Sequence, residues 1–167
     1  MISPSRPGSN VIPCTLKHLI FLCERMRDDE RAQYMALTGV ESFAPEVAAV
    51  GFFNTPGLKF TVLGSDCYPA AAGGAEEIAP GVWQTWMVGS PEGWSTTWRS
   101  LTRAARWMIC GLLEQDNVRR VQATCLCARE KAAEWFERSL GMQPEGIWRK
   151  YGRNGEDVAL FSRVAEV

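Results

Sequence analysis

The sequence predicts an α+β fold: a central mixed β-sheet of about seven strands flanked by about four helices. Three observations predict it. Apolar periodicity gives the order β, α, α, β, β, β, α, β, α, β, β, in which strand runs alternate with helices. Two β-rich runs at the carboxy end flank "GRNG", and the Asn154-Gly155 pair inside it favours a type I′ hairpin turn. The "GSPEGWSTTWRSL" stretch, residues 89–101, joins an apolar strand to a long amphipathic helix.

Taken in order, "MISPSRPGSN" reads as a mobile Pro/Ser/Gly arm over residues 1–10, with one domain filling 11–167. "NVIPCT" forms a short strand and Thr15 caps the helix behind it, whose apolar face carries Leu16, Leu19, Ile20, Cys23 and Met26. "DDERAQYMALTG" is a second helix, capped by Asp28 or Asp29 and stopped by Gly39; its charged start reads as a solvated corner. "GLKFTVLG" and "YPAAAGGAEEI" are strands around a turn with Ser65 and Asp66, and Gly73-Gly74 weakens the second or marks a bulge. "GVWQTWMVG" is a further strand. The next helix spans 95–115, with Trp98, Leu101, Ala105, Met108, Ile109 and Leu112 on its buried face. Arg99, Arg103 and Arg106 line the other side as a solvated face. "VRRVQATCLC" is a strand, and "EKAAEWFERSL" a helix ended by Gly141.

Composition bounds the function. The 167 residues suffice for one sizeable core, with 46% hydrophobic and 22% charged residues, as in ordinary globular proteins. Eighteen Lys and Arg against 19 Asp and Glu give a formal charge of −1, which speaks against a dedicated nucleic-acid binder. No run approaches the roughly 20 apolar residues of a membrane span, and no signal-peptide pattern follows Arg6. The six cysteines, with Cys125-x-Cys127 as the one close pair and His18 as the single histidine, fall short of a metal site and read as small reduced thiols. His18 reads as a packed or surface residue of its helix. Five of the seven tryptophans fall between residues 83 and 107. The core is expected to take Trp83 or Trp86, Trp98 and Trp135, and Trp94 to be exposed.

The element order and the carboxy-terminal third resemble the GNAT acetyltransferase superfamily. The resemblance rests on "EKAAEWFERSLGM", where Ala133, Phe136, Leu140, Gly141 and Met142 match the motif of the family's penultimate helix, and on the closing hairpin. It covers about residues 10–165 and implies the family's fold, with the sheet splitting beside the 82–88 strand. It also implies a pyrophosphate loop of a basic residue or Gln, two residues, Gly, one residue, then Gly or Ala. The matching positions here hold Glu92, Ser95 and Thr97, with Trp94 and Trp98 adding bulk. Ser95 or Thr96 would cap the helix and occupy its first donors. Glu137 stands where the family often has a tyrosine acid, Glu130 where it often has asparagine, and "VWQTWMV" offers no carboxylate base.

Within the superfamily the layout resembles phage-encoded internal virion proteins, through "MRDDERAQYMALTG" and "WSTTWRSLTRAARWM". The expectation is therefore a non-catalytic virion component, located in the particle or the host cytoplasm and using no cofactor and no metal. It would contact other virion proteins through Trp94, Arg99 and Arg103, with self-association also compatible. The alternative is an N-acyltransferase using acetyl-CoA, with Val88, Ser95, Thr96 and Thr97 at the cofactor and Glu137 moving the proton.

Overall fold

The computed structural model describes residues 7–166, so the first six residues of the expected arm and Val167 lie outside the described residues. The end of the arm is fastened: Asn10 Nδ2 donates to Leu63 C=O at 3.2 Å, and the Leu63 N–H returns to Asn10 C=O at 2.8 Å. The elements are β1 (Val11–Pro13), α1 (Leu16–Glu24), α2 (Asp28–Thr38), α3 (Pro45–Asn54), β2 (Leu58–Leu63), β3 (Pro69–Ala79), β4 (Val82–Gly89), α4 (Pro91–Leu113), β5 (Arg120–Leu126), α5 (Glu130–Glu134), β6 (Gln143–Trp148) and β7 (Val158–Val164). Trp135–Ser139 continue α5 as a π-helical turn. The seven strands form one mixed sheet in the order β1-β2-β3-β4-β5-β7-β6. Only β4 and β5 run parallel; every other neighbouring pair is antiparallel.

Helices cover both faces. On one, α1 and α3 bury Leu19, Leu22, Cys23, Ala48 and Ala49 against Ala72 and Val88 of the sheet. On the other, α4 buries Ala105, Met108, Ile109 and Leu112 against Val121 and Phe161. Thr15 caps α1 through a box in which its hydroxyl accepts from the His18 N–H and His18 Nδ1 accepts from the Thr15 N–H, both at 3.3 Å. Gly39 and Gly141, at φ +75° and +67°, end their helices in the left-handed conformation expected of them.

Several expectations need correction. The helix α3 was not anticipated, because "PEVAAVGFFN" is apolar on nearly every side and shows no helical contrast; Pro45 at its first turn is the signal that marks it. Arg27, rather than Asp28 or Asp29, precedes α2, and those aspartates stand in its first turn. The helix α4 begins at Pro91, capped by Ser90, whose Oγ accepts the Gly93 N–H at 2.9 Å. Ser95 and Thr96 are therefore inside the helix, and their hydroxyls donate to Glu92 C=O. That earlier start sets which side chains face the sheet. Thr97 lies in the buried face with Leu101, and Trp98 is 46% exposed, so the expected place of Trp98 in the core is wrong. Gly73 and Gly74 mark no bulge, since the β3–β4 register shifts only between Glu77 and Ala79. They make room instead: a Cβ at Gly74 would lie 2.8 Å from the Trp86 ring and 2.2 Å from Leu58 C=O.

The carboxy-terminal hairpin also differs. Gly155 has φ +87°, but Arg153 and Asn154 do not have positive φ, and the Gly155 N–H donates to Gly152 C=O at 2.9 Å. A type I′ turn needs positive φ at both central residues. This one places Arg153 and Asn154 at the centre and Gly155 after them in the left-handed region. Gly155→Val is expected to cost about 1–3 kcal/mol of backbone strain. Arg153→Ala, which removes only an exposed pair with Glu41, should stay within about 0.5 kcal/mol in the same urea titration. Leu101, 1% exposed, should lose about 2–5 kcal/mol on truncation to Ala.

Candidate functional site

The sheet splits where expected. β4 and β5 pair only from Val82–Arg120 to Gln84–Gln122, and the two strands then run on to Gly89 and Leu126 without pairing to each other. A polar ladder closes the joined end: Gln122 Nε2 donates to Gln84 Oε1 at 3.0 Å, and Arg120 Nε donates to Gln122 Oε1 at 2.8 Å. Arg120 also pairs with Glu145, and its hydrogen bond, followed by that of Ser162, holds the Glu145 carboxyl below its ordinary value. Thr85 Oγ1 donates to Gln122 C=O at 3.1 Å. Past that bond the strands part.

A cavity of about 590 Å³ occupies the gap. Its lining includes Met108 and Ile109 from the α4 side of the sheet and Tyr34 and Phe52 from the α2–α3 side. The cavity is thus lined from both sides of the sheet.

The edges of the gap are polar by construction. The Gly89 N–H donates to Glu30 Oε2 at 2.9 Å, and Gly89 C=O accepts from the Arg27 N–H at 3.3 Å, so both peptide groups of Gly89 point away from β3. Peptide directions alternate along an antiparallel ladder. The peptide groups of Met87, two residues back in the same regular register, therefore face the gap as well. Across it, Gln33 does for β5 what a neighbouring strand would do: its Oε1 accepts the Leu126 N–H at 3.1 Å and its Nε2 donates to Thr124 C=O at 3.4 Å.

Glu30, Gln33, Tyr34 and Leu37 all line the cavity. They stand at i, i+3, i+4 and i+7 of α2, one helical face that points into the gap. Glu30 is 5% exposed and is held by Arg27 Nη2 at 2.6 Å, with Arg129 Nη2 at 3.8 Å. Burial pushes its carboxyl above the ordinary range, and the charge and hydrogen bond of Arg27, the Gly89 N–H and Arg129 pull it back only in part. Asp29 completes the cluster, 2.7 Å from Arg129 Nε. Burial opposes its ionisation, yet the hydrogen bond and charge of Arg129, with Arg27, hold its carboxyl low. The Arg27 guanidinium lies 4.5 Å from the Trp94 ring, and its Nε is buried with no hydrogen-bond partner.

The residues expected at a site are dispersed. Val88 is fully buried among α1 and α3 side chains and does not line the cavity. Ser95 and Thr96 are exposed on α4, and Thr97 Oγ1 donates to Gly93 C=O. Glu137 is exposed on the π-turn and does not line the cavity. Arg99 and Arg103 are exposed on the outer side of α4. Trp94, expected to be exposed, instead lines the cavity with its ring edge-on to Trp135 at 5.4 Å. The structure gathers a different set, Arg27, Glu30, Gln33, Trp86 and Arg129. The α2 members belong to the charged stretch that reads in the sequence as a solvated corner.

No family model matches the sequence, and no curated protein matches it. Solved structures match it well. A GNAT-family acetyltransferase from Bacillus anthracis superposes with a TM-score of 0.71 at 16% identity, covering 94% of this chain and 95% of that one. A variant of a spermidine N-acetyltransferase from Vibrio cholerae gives 0.66 at 16%, covering 93% and 94%. A phosphinothricin acetyltransferase from Sinorhizobium meliloti, solved in complex with acetyl-CoA, gives 0.67 at 14%, covering 98% and 89%. The chain therefore has the GNAT fold. These comparisons overturn the expectation of a non-catalytic virion component, because the proteins that share the fold over nearly the whole chain are named as acetyltransferases. Glu92, Ser95 and Thr97 lie within the first turns of α4 rather than in a loop before it.

Proposed function

We propose that the protein is an N-acyltransferase that takes its acyl group from acetyl-CoA or a related acyl-CoA and passes it to an amine. The observation that carries this reading is the cavity that crosses the sheet where β4 and β5 part. A transfer between two molecules needs a donor and an acceptor to meet at one point from different directions, and a gap lined from both sides of the sheet fits that need.

The gap fits an acyl-pantetheine arm. The Met87 peptide faces it as an unpaired strand edge, which binds amide groups as another strand would. Ala105, Met108, Ile109 and Ala123 make its floor apolar, which excludes water and strengthens polar contacts within. The diphosphate end is served differently. Pro91 has no N–H, and Ser90 Oγ takes that of Gly93, so the start of α4 is partly satisfied from within. Arg27, beside Trp94 in that first turn, is the cation offered to the anionic end; its Nε makes no hydrogen bond, with Asp29 Oδ1 3.8 Å away and Glu30 on its Nη2. When bound, acyl-CoA supplies a thioester carbonyl as the electrophile. The chain's own part is to align it along β4, to hold phosphate charge with Arg27, and to admit the amine from the α2–α3 face.

The test is a mass-spectrometric search for N-acetylated product after incubation with acetyl-CoA and a mixed panel of amines. Product and free coenzyme A in equal amounts are expected. Thioester loss no faster than in buffer alone would contradict the reading.

A further inference from the structure

The α2–α3 side of the cavity carries a second piece of chemistry that the donor does not use. Trp86 lies over Gly74, where a Cβ would strike its ring at 2.8 Å. Phe52 stacks on Trp86 with centroids 5.0 Å apart and planes at 29°, and Tyr34 lies 5.6 Å from Phe52. All three line the cavity, and so does Glu76. Glu76 stands two residues beyond Gly74 on β3, in register with Gln84, so strand alternation places it on the same sheet face as Trp86. Cross-strand diagonal neighbours of this kind lie within about 8 Å. Two polar groups here have no protein partner. Glu76 makes no hydrogen bond or ion pair among the described residues, and the Trp86 Nε1–H is buried without an acceptor. The other carboxylates of the cavity are occupied: Glu30 by Arg27 and Gly89, and Asp29 by Arg129.

We infer that this side is the acceptor subsite and that it takes a cationic arylalkylamine, with the aromatic body against Trp86, Phe52 and Tyr34 and the ammonium on Glu76. The inference rests on the acyltransferase reading. A flat ring finds stacking partners at ordinary aromatic distances. A cationic nitrogen finds both a free carboxylate and the negative faces of aromatic rings. On this side of the cavity an anionic amino acid would instead meet the like charge of Glu76, while the lining's Lys131 stands on α5. In the transfer, the ammonium gives one proton to a Glu76 carboxylate oxygen, and the freed nitrogen lone pair forms the C–N bond to the thioester carbon. The C–S bond breaks with its electron pair on sulfur, which takes a proton from water, and the amide nitrogen releases its remaining extra proton to solvent. Glu76 thus has two roles, binding the cation and accepting its proton.

The experiment measures kcat/KM with acetyl-CoA for phenethylamine and tyramine against spermidine and glutamate, in the wild type and in Glu76→Gln, with acetyl-CoA affinity and Tm recorded for both proteins. Phenethylamine or tyramine is expected to exceed glutamate by about 100-fold or more, the size of a general-base and charge-recognition effect. Glu76→Gln should remove about that factor while leaving the acetyl-CoA Kd and the Tm unchanged. Phe52→Leu, a milder change than any at Trp86, should raise KM for the arylalkylamines more than it lowers kcat. A preference for spermidine or glutamate, or an unaltered rate in Glu76→Gln, would overturn the inference while leaving the acyltransferase reading intact. Failure of the wild type to bind acetyl-CoA at all would instead remove the reading on which the inference rests.

Discussion

Gly93→Ala should destabilise the protein by about 3 kcal/mol or more, at the upper end of what overpacking costs. The added Cβ would sit 2.0 Å from the carbonyl oxygen of Ala70 and 2.6 Å from its Cα, both backbone atoms of β3. Neither can swing aside as a side chain would. The first turn of α4 would have to lift from the sheet, and Ser90, whose N–H donates to that same Ala70 carbonyl at 3.3 Å, would be pulled with it. Gly111, near the other end of the same helix, is the control. A Cβ there meets nothing within 4 Å, so Gly111→Ala should stabilise by about 0.5–1 kcal/mol through helix propensity alone. Urea titrations of the two variants should therefore move in opposite directions. Equal and small effects would mean that α4 does not approach β3 as closely as described.

The second large effect is expected at Glu30. Glu30→Ala removes the buried anion that two guanidiniums share and leaves the Gly89 N–H without an acceptor. Breaking a buried pair from one side costs about 3–5 kcal/mol; Asp29 still faces both arginines, so a loss of about 3 kcal/mol is expected. Glu30→Gln keeps an acceptor for Gly89 and should cost less. The two also differ in pH dependence. Because burial raises the Glu30 carboxyl above its ordinary value of 4.5, between that value and the raised one the native state holds a proton that the unfolded chain has released. Wild-type stability measured against Glu30→Gln should therefore be highest at low pH. It should decline as pH rises through the raised value and level off above it. A difference that grew with pH would show that Arg27 and Arg129 outweigh burial.

Much of the fold was legible because its signals are local. Thr15 before a periodic apolar run, and Gly39 and Gly141 after two others, marked helix ends that the structure reproduces. Alternation in "VWQTWMV" and "VQATCL" marked β4 and β5, and the split beside β4 followed from the resemblance. The misses are equally physical. In "GSPEGWSTTW" two capping signals compete. Ser90 followed by Pro91 at the first helical position is the one that operates, because it lets Gly93 pack against Ala70. Choosing Ser95 or Thr96 moved the helix start by about one turn, which exchanged the environments of Trp94 and Trp98. The Asn154-Gly155 pair identified a turn but not its type, since that depends on φ at Asn154.

The site was harder to read because its groups come from separate segments. Glu30 looks like a solvated charge in "RDDERAQY", and it is buried only because Gly89, Arg27 and Arg129 converge on it from the end of β4, the start of α2 and the loop before α5. One signal was present in the sequence. Glu30, Gln33, Tyr34 and Leu37 share a helical face on which a core helix would carry only apolar residues, and a polar stripe in that place points to a lined cavity rather than to solvent. Glu76 was hidden differently. With no carboxylate on β4 itself, the acidic group sits one strand over, and only the β3–β4 register brings it beside Gln84.

The central claim is that the gap between β4 and β5 holds the acyl donor. Calorimetric titration of acetyl-CoA into the wild type and into Thr124→Trp tests it most directly. Thr124 lines the cavity on the stretch of β5 that has parted from β4, so an indole at that position crowds the gap without touching the end where those two strands pair. The wild type is expected to bind one equivalent with a Kd of about 10 μM, or roughly 7 kcal/mol, and Thr124→Trp is expected to give no saturable heat at an unchanged Tm. Absence of wild-type binding up to about 1 mM, near 4 kcal/mol, or undiminished binding in Thr124→Trp, would contradict the account.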